Sequence, residues 1–188
     1  MNMSVQLVKH NNGLVKPYLG KISYLYEENI NEIIGLHPIL KETLKDDDMF
    51  YFDDYNFYKY QLDRGGIILG CYIDNHLIAY AVMIFPGNDD ENLGYDLNFN
   101  QDELQFVAHL DSFLVHPDYR GNKLQYKLCT LMQKKALKKG YKHLCSTVSP
   151  RNIHSLNNLM DFGFEIRLEK LKYGGKLRYI LYKSLSSV

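Results

Sequence analysis

The stretch from Val107 to Phe164 constrains this chain more than any other. It runs through a β-rich segment ending at Val115, the turn His116-Pro117-Asp118-Tyr119-Arg120-Gly121, and a long amphipathic pattern. A second β-rich segment, a helical pattern led by Asn152 and the pair Gly163-Phe164 complete it. A strand that enters a glycine-containing turn and then a helix gathers backbone N–H groups for which the helix has no carbonyl. Such a helix start can seat the pyrophosphate of a nucleotide-like cofactor.

At 188 residues, 46% apolar and 23% charged, the chain has the size and composition of one α/β domain, expected to span residues 1–188. Twenty-two basic residues balance 22 acidic ones, so no global field favours nucleic acid or an anionic membrane. Cys71, Cys129 and Cys145 are odd in number and lie within apolar patterns, which fits reduced core thiols. No zinc-ligand spacing occurs, and no metal is expected. MNMSVQLVKHNNG lacks the apolar stretch of a signal peptide, and no apolar run approaches about 18 residues. A cytoplasmic location is expected.

Along the chain, Ser4 to Lys9 alternates weakly as a first strand. Residues 18–35 and 38–45 carry helical spacing, broken near Gly35 and before Pro38. Asp46 to Tyr55 is an acidic, aromatic connector and Tyr55 to Leu62 a short helix. Gly66 to Ile73 and His76 to Phe85 read as strands joined by the hairpin turn Asp74-Asn75. Pro86 to Glu103 is a long polar excursion, Leu104 to Val115 a strand, and Asn122 to Lys139 a helix. Its apolar stripe comprises Leu124, Leu128, Leu131, Met132 and Leu137, and Gly140 stops it. Lys142 to Val148 is a strand and Asn152 to Phe162 a helix capped by Gly163. Phe164 to Tyr173 and Leu177 to Ser184 form a closing hairpin through Gly174-Gly175. The sum is an α/β fold, a mixed and mostly antiparallel sheet flanked by helices.

The turn carries the chemistry. Pro117 ends the strand. Arg120 has a permanent charge and a fork of donors suited to phosphate, and Gly121 permits backbone that larger residues resist. The amides of Asn122, Lys123, Leu124 and Gln125 can then point at two phosphates, with Lys123 and Lys127 adding charge. As a competing reading, the same residues form an ordinary surface turn with a basic helix start.

The order of these parts resembles the cofactor site of the GNAT N-acetyltransferase superfamily. Its signature has Arg or Gln, two residues, Gly, one residue, then Gly or Ala. Arg120 matches, whereas Lys123 and Gln125 stand at the two small positions. Ser149-Pro150-Arg151-Asn152, Ser155 and Gly163-Phe164 resemble the family's second cofactor segment, where Asn meets the pantetheine arm. Asn152 is equally a good helix N-cap. The resemblance covers Gly66 to Leu185, with the N-terminal third alike in layout only. It implies acetyl-CoA as cosubstrate and direct attack of a primary amine on the thioester. Phe113, Leu114 and Val115 would offer backbone to the pantetheine, and Leu114 or Val115 the amide for the developing oxyanion.

Strand alternation places His109, Asp111, Phe113 and Val115 on one face. Ala108 to Asp111 resembles the strand of serotonin N-acetyltransferase and its relatives, where two histidines serve the amine; here the second is Asp111. A neutral imidazole is a suitable proton acceptor, and Asp111 either orients His109 or takes the proton through a water. Both residues also read as a polar pair tied up in structural hydrogen bonds. His116 and His154 are weaker candidates. The tyrosine that serves many family members as acid is replaced by Leu159. Tyr173 or Tyr119 can substitute, or the thiolate can leave without a donor.

Acidic, aromatic segments at Asp46 to Tyr55 and Asp89 to Asp96 suit a small cationic amine, and read equally as solvated loops. Homodimerisation stays open. The competing functions are a CoA-binding module without turnover, a protein or peptide N-acetyltransferase, and a regulatory domain holding another nucleotide.

Overall fold

The computed structural model describes residues 2–11, 14–44, 46 and 49–185. Eight strands form one sheet in the order β1-β2-β3-β4-β5-β6-β8-β7. The strands are β1 (Asn2–Asn11), β2 (Leu14–Leu25), β3 (Ile67–Ile73), β4 (His76–Ile84), β5 (Val107–Val115), β6 (His143–Val148), β7 (Glu165–Lys172) and β8 (Lys176–Ser184). The helices are α1 (Ile30–Lys41), α2 (Tyr55–Asp63), α3 (Leu93–Asp96), α4 (Gln101–Leu104), α5 (Leu124–Lys138) and α6 (Ile153–Asp161). The chain divides into two compact units, one of Met1–Leu44, Phe52–Val82 and Ser112–Leu128, the other of Lys45–Tyr51, Met83–Asp111 and Cys129–Val188.

In the first unit, β1 pairs antiparallel with Leu14 to Ser23 of β2, and Lys21 to Leu25 of β2 pairs with Ile68 to Tyr72 of β3. Residues 18–25 are therefore strand, where their spacing suggests helix. Pro17 and Gly20 disguise it. Pro17 lies beyond the stretch paired to β3, where a missing N–H costs no ladder bond on that side. A Cβ on Gly20 would meet the side chains of Leu7, Val5 and Cys71 at 2.6, 3.1 and 3.2 Å, so glycine leaves room there for core side chains. The helix begins at Ile30 and continues through both Gly35 and Pro38, held by the buried stripe Ile30, Ile33, Leu36 and Leu40. Asp74 and Asn75 both take positive φ, 46° and 63°, giving the tight β3–β4 turn expected.

In the second unit, Leu93, Val107, Cys145 and Ile180 form a core that Leu97, Phe99, Leu168 and Tyr182 surround. The excursion before β5 is ordered. Buried Asn92 caps α3 through Gly94 N at 2.8 Å and donates to Gly87 O at 2.6 Å. Asn100 and Glu103 form a reciprocal capping box on α4, so β5 starts at Val107 rather than Leu104. β6 pairs antiparallel with β8, and β8 with β7, the hairpin turning through Tyr173, Gly174 and Gly175 at φ 50°, 75° and 96°. On α5 the fully buried positions are Leu128, Cys129, Met132 and Ala136, while Leu131 and Leu137 are only half-buried. All three cysteines are free and buried.

Candidate active site

The turn belongs to the first unit. Its entry is fixed by the bond from His116 N to Ile78 O, 2.7 Å, and by His116 Nδ1 accepting from Asp118 N at 3.2 Å. Tyr119 is buried, edge-on to Tyr18, which removes it as an exposed proton donor. Asn122 clamps the turn to β1: its Oδ1 accepts from Val8 N, and its Nδ2 donates to Val8 O and Tyr119 O, at 2.7, 2.7 and 2.9 Å. Gly121 and Lys123 take φ of 80° and 54°, so the helix starts at Leu124, where its apolar stripe begins, and not at the expected Asn122. Lys123 thus adopts the left-handed backbone that the small residue of the signature favours. Lys127 N donates to Lys123 O at 3.0 Å and closes the first turn of α5; the amides before it lie at the positive end of the helix. Exposed Arg120 donates to Thr43 Oγ1 at 2.9 Å. The basic set Arg120, Lys123 and Lys127, two left-handed residues and a helix start fit a diphosphate in chemistry and charge.

In the same unit, β5 alternates toward its end: Ser112 and Leu114 are buried, Phe113 and Val115 half-buried. Phe113 and Val115 therefore leave accessible surface on one face of the strand.

The second unit holds the other expected residues. β5 and β6 pair parallel from Val107↔His143 to His109↔Cys145. One residue further, Ser146 Oγ donates to Leu110 O at 2.7 Å. Asp111 and Thr147 each lie two residues beyond that last pair, on the same face by alternation.

His109 is expected to take a proton. It is buried instead, and its Nε2 accepts from Leu93 N at 3.1 Å. Burial, aided by the Lys172 charge, pushes the imidazole down to about 3. The ring is neutral and its lone pair is engaged in holding α3. Asp111 is half-buried. Tyr173 is 38% exposed, its hydroxyl 3.0 Å from Thr147 Oγ1 and its ring stacked on Tyr51 at 5.9 Å. Desolvation and the nearby Asp111 carboxylate push that hydroxyl up to about 12. The structure therefore brings Asp111, Thr147 and Tyr173 together and sets His109 behind them. Thr147 carried no sequence signal, because a lone threonine in a strand reads as β-propensity.

Asn152 accepts from Ser155 N at 3.2 Å as the N-cap of α6 and donates to Met49 O at 3.4 Å. Ser155 is half-buried, and Leu159 is buried on the inner side of the helix. Several acidic-segment carboxylates are already paired within their own unit. Asp46 binds Arg151, Asp54 caps α2 through Phe57 N at 2.9 Å, and Asp96 binds Lys170 and Lys172. Among the described residues no group of three or more His, Cys, Asp or Glu could hold a metal ion, and no helix is long and apolar enough to cross a membrane.

Comparison with known proteins agrees with this fold. The family model described as acetyltransferase (GNAT) family matches residues 27–164. No curated protein sequence matches. Among solved structures, YncA of Salmonella typhimurium with its cofactor acetyl-CoA is 15% identical, covers 89% of this chain and 94% of its own, and has a TM-score of 0.66. The ribosomal-protein-S18-alanine N-acetyltransferase of Escherichia coli is 17% identical over 90% and 96%, with a TM-score of 0.64. PaiA N-acetyltransferase of Thermoplasma acidophilum in complex with coenzyme A is 16% identical over 88% and 98%, also at 0.64. The chain belongs to the acetyltransferase (GNAT) family, the class of acetyl-CoA-dependent N-acetyltransferases.

Proposed function

We propose that the chain transfers an acetyl group from acetyl-CoA to the primary amine of a small, cationic acceptor by direct attack. The observation that carries this reading is the Asp111 carboxylate acting on the Tyr173 hydroxyl, which bonds Thr147 just past the end of the β5–β6 pairing. Acetyl-CoA supplies an activated acetyl thioester. Arg120, Lys123, Lys127 and the amides from Asn122 to Gln125 hold its diphosphate. Phe113, Leu114 and Val115 offer backbone to the pantetheine, and Leu114 or Val115 N–H faces the carbonyl oxygen as it gains charge. On the family resemblance, Asn152 and Ser155 serve the same arm.

Asp111 accepts the proton that the ammonium gives up, through a water, leaving the nitrogen lone pair free to form the C–N bond. Tyr173 donates its phenolic proton to the sulfur as the C–S bond breaks. His109 is assigned to holding α3 behind Asp111, since its Nε2 already accepts from Leu93. Charge favours a cationic acceptor: the Asp111 and Glu91 carboxylates both act on Tyr173, beside the exposed rings of Tyr51 and Tyr173. A protein N-terminus is the second reading, favoured by the likeness to the ribosomal-protein-alanine enzyme of Escherichia coli.

Thiol release from acetyl-CoA across a panel of polyamines, amino sugars and peptide N-termini tests the proposal. Turnover with cationic small amines is expected. Turnover confined to peptides would establish the second reading, and calorimetric acetyl-CoA binding with no thiol release on any amine would leave a binding module.

A further inference from the structure

We propose that Thr147 is a positioning residue for the reaction, its hydroxyl donating to Tyr173 Oη so that the phenolic proton is left to point at the leaving sulfur. The inference rests on the reading of Tyr173 as the proton donor and extends it to a residue on a different strand.

The geometry is specific. Tyr173 begins a run of three left-handed residues, at φ 50°, 75° and 96°, of which it alone carries a side chain. A left-handed tyrosine is strained backbone that its surroundings must hold. Two contacts do so from separate parts of the unit: Tyr51 stacks on the ring at 5.9 Å and 28°, and Thr147 Oγ1 meets the hydroxyl at 3.0 Å. Arg178 lies over the ring, its Cζ 5.9 Å from the centroid. The hairpin carries the ring, Tyr51 sets its plane, and Thr147 is the contact that fixes the direction of its O–H.

Direction matters because a phenol has one proton. If Tyr173 donated to Thr147, that proton would be committed and the sulfur would meet only oxygen lone pairs. If Thr147 donates, the phenolic proton is free to leave, and the Thr147 bond stabilises the phenolate that remains. The balance of the step is then complete. The C–N bond forms and the C–S bond breaks with its electron pair going to sulfur, to which Tyr173 transfers H⁺; the attacking nitrogen, cationic once bonded, releases its second proton to solvent, and the phenolate is reprotonated from solvent before the next turnover. The charges facing this hydroxyl are Asp111 from β5, Glu91 from the excursion and Arg178 from β8. Asp111 and Glu91 oppose formation of the phenolate, and Arg178 with the Thr147 bond favours it.

The test is a double-mutant cycle in the full chain with Thr147→Val, Thr147→Ser, Tyr173→Phe and the double variant Thr147→Val/Tyr173→Phe, assayed with whichever amine turns over. Thr147→Val should lower kcat by roughly tenfold, about one well-made hydrogen bond, with the KM for acetyl-CoA unchanged. Thr147→Ser should restore most of it. Because Thr147 acts through Tyr173, the double variant should be no slower than Tyr173→Phe alone. Losses that add, or a Thr147→Val enzyme as fast as the parent beside a slow Tyr173→Phe, would overturn this inference alone. A Tyr173→Phe enzyme at full rate would remove the proton donor itself, and this inference with it.

Discussion

Lys123 stands where the family signature has a small residue, and its φ of 54° gives the physical reason for that preference. A side chain in the left-handed region costs about 1–2 kcal/mol, partly offset because glycine gives the unfolded chain more freedom to lose. Lys123→Gly should therefore raise the unfolding free energy by about 0.5 kcal/mol, read as a higher denaturation midpoint. An unchanged or lower midpoint would mean that the lysine side chain repays its own strain. The proposed base is tested at the same scale. Asp111→Asn keeps the shape of the side chain and removes the proton acceptor, so kcat should fall by about 10²- to 10⁴-fold. Acetyl-CoA affinity measured by calorimetry should stay as it was. Turnover retained in Asp111→Asn would reduce the residue to packing. His109 was legible as a residue of the same strand face. Its role was not legible, because the amide of Leu93 that occupies its Nε2 is brought there from 16 residues away in sequence.

Among the elements, caps and turns were the most legible. Asn152 was read as an N-cap and is one, with Ser155 N at 3.2 Å from its side chain. Asn152→Ala should cost about 1 kcal/mol of stability, and a larger fall in acetyl-CoA affinity than in stability would assign it to the cofactor as well. Gly35 was read as a break and instead lies inside α1, where an added Cβ meets nothing within 4 Å. Gly35→Ala should thus stabilise the fold by about 0.5–1 kcal/mol, seen as a rise in Tm. The strand β2 was missed because Pro17 and Gly20 are strand breakers unless the neighbouring strand stops short or packs close. That is a property of the partners. The α4 capping box was present as Asn100-Gln101-Asp102-Glu103, and overlooking it moved the start of β5 by three residues.

For the whole molecule, the buried imidazoles set an expected acid response. Burial pushes His37 down to about 4, its Nε2 shared between Tyr80 Oη at 3.0 Å and Tyr58 Oη at 3.3 Å, and His109 is pushed down to about 3. Both are neutral in the fold, whereas the unfolded chain protonates them near pH 6.5. The stability gained from keeping them neutral is complete above about 6.5. It declines as pH falls and is lost in full by about 4 for His37 and about 3 for His109. Urea midpoints taken from pH 7 to pH 4 should fall, and a His109→Gln variant, whose amide oxygen can still accept from Leu93, should show a shallower slope. A variant with the parental slope would show that His109 is not buried neutral. The order of strand, left-handed turn, helix and Asn-led helix was fixed by the chain itself, since glycine, proline and cap chemistry act over a few neighbouring residues. Tertiary structure decided which polar groups of that framework are engaged and which stay available. It placed Leu93 on His109 and Thr147 on Tyr173, because hydrogen bonds between distant segments exist only once the sheet has set their registers.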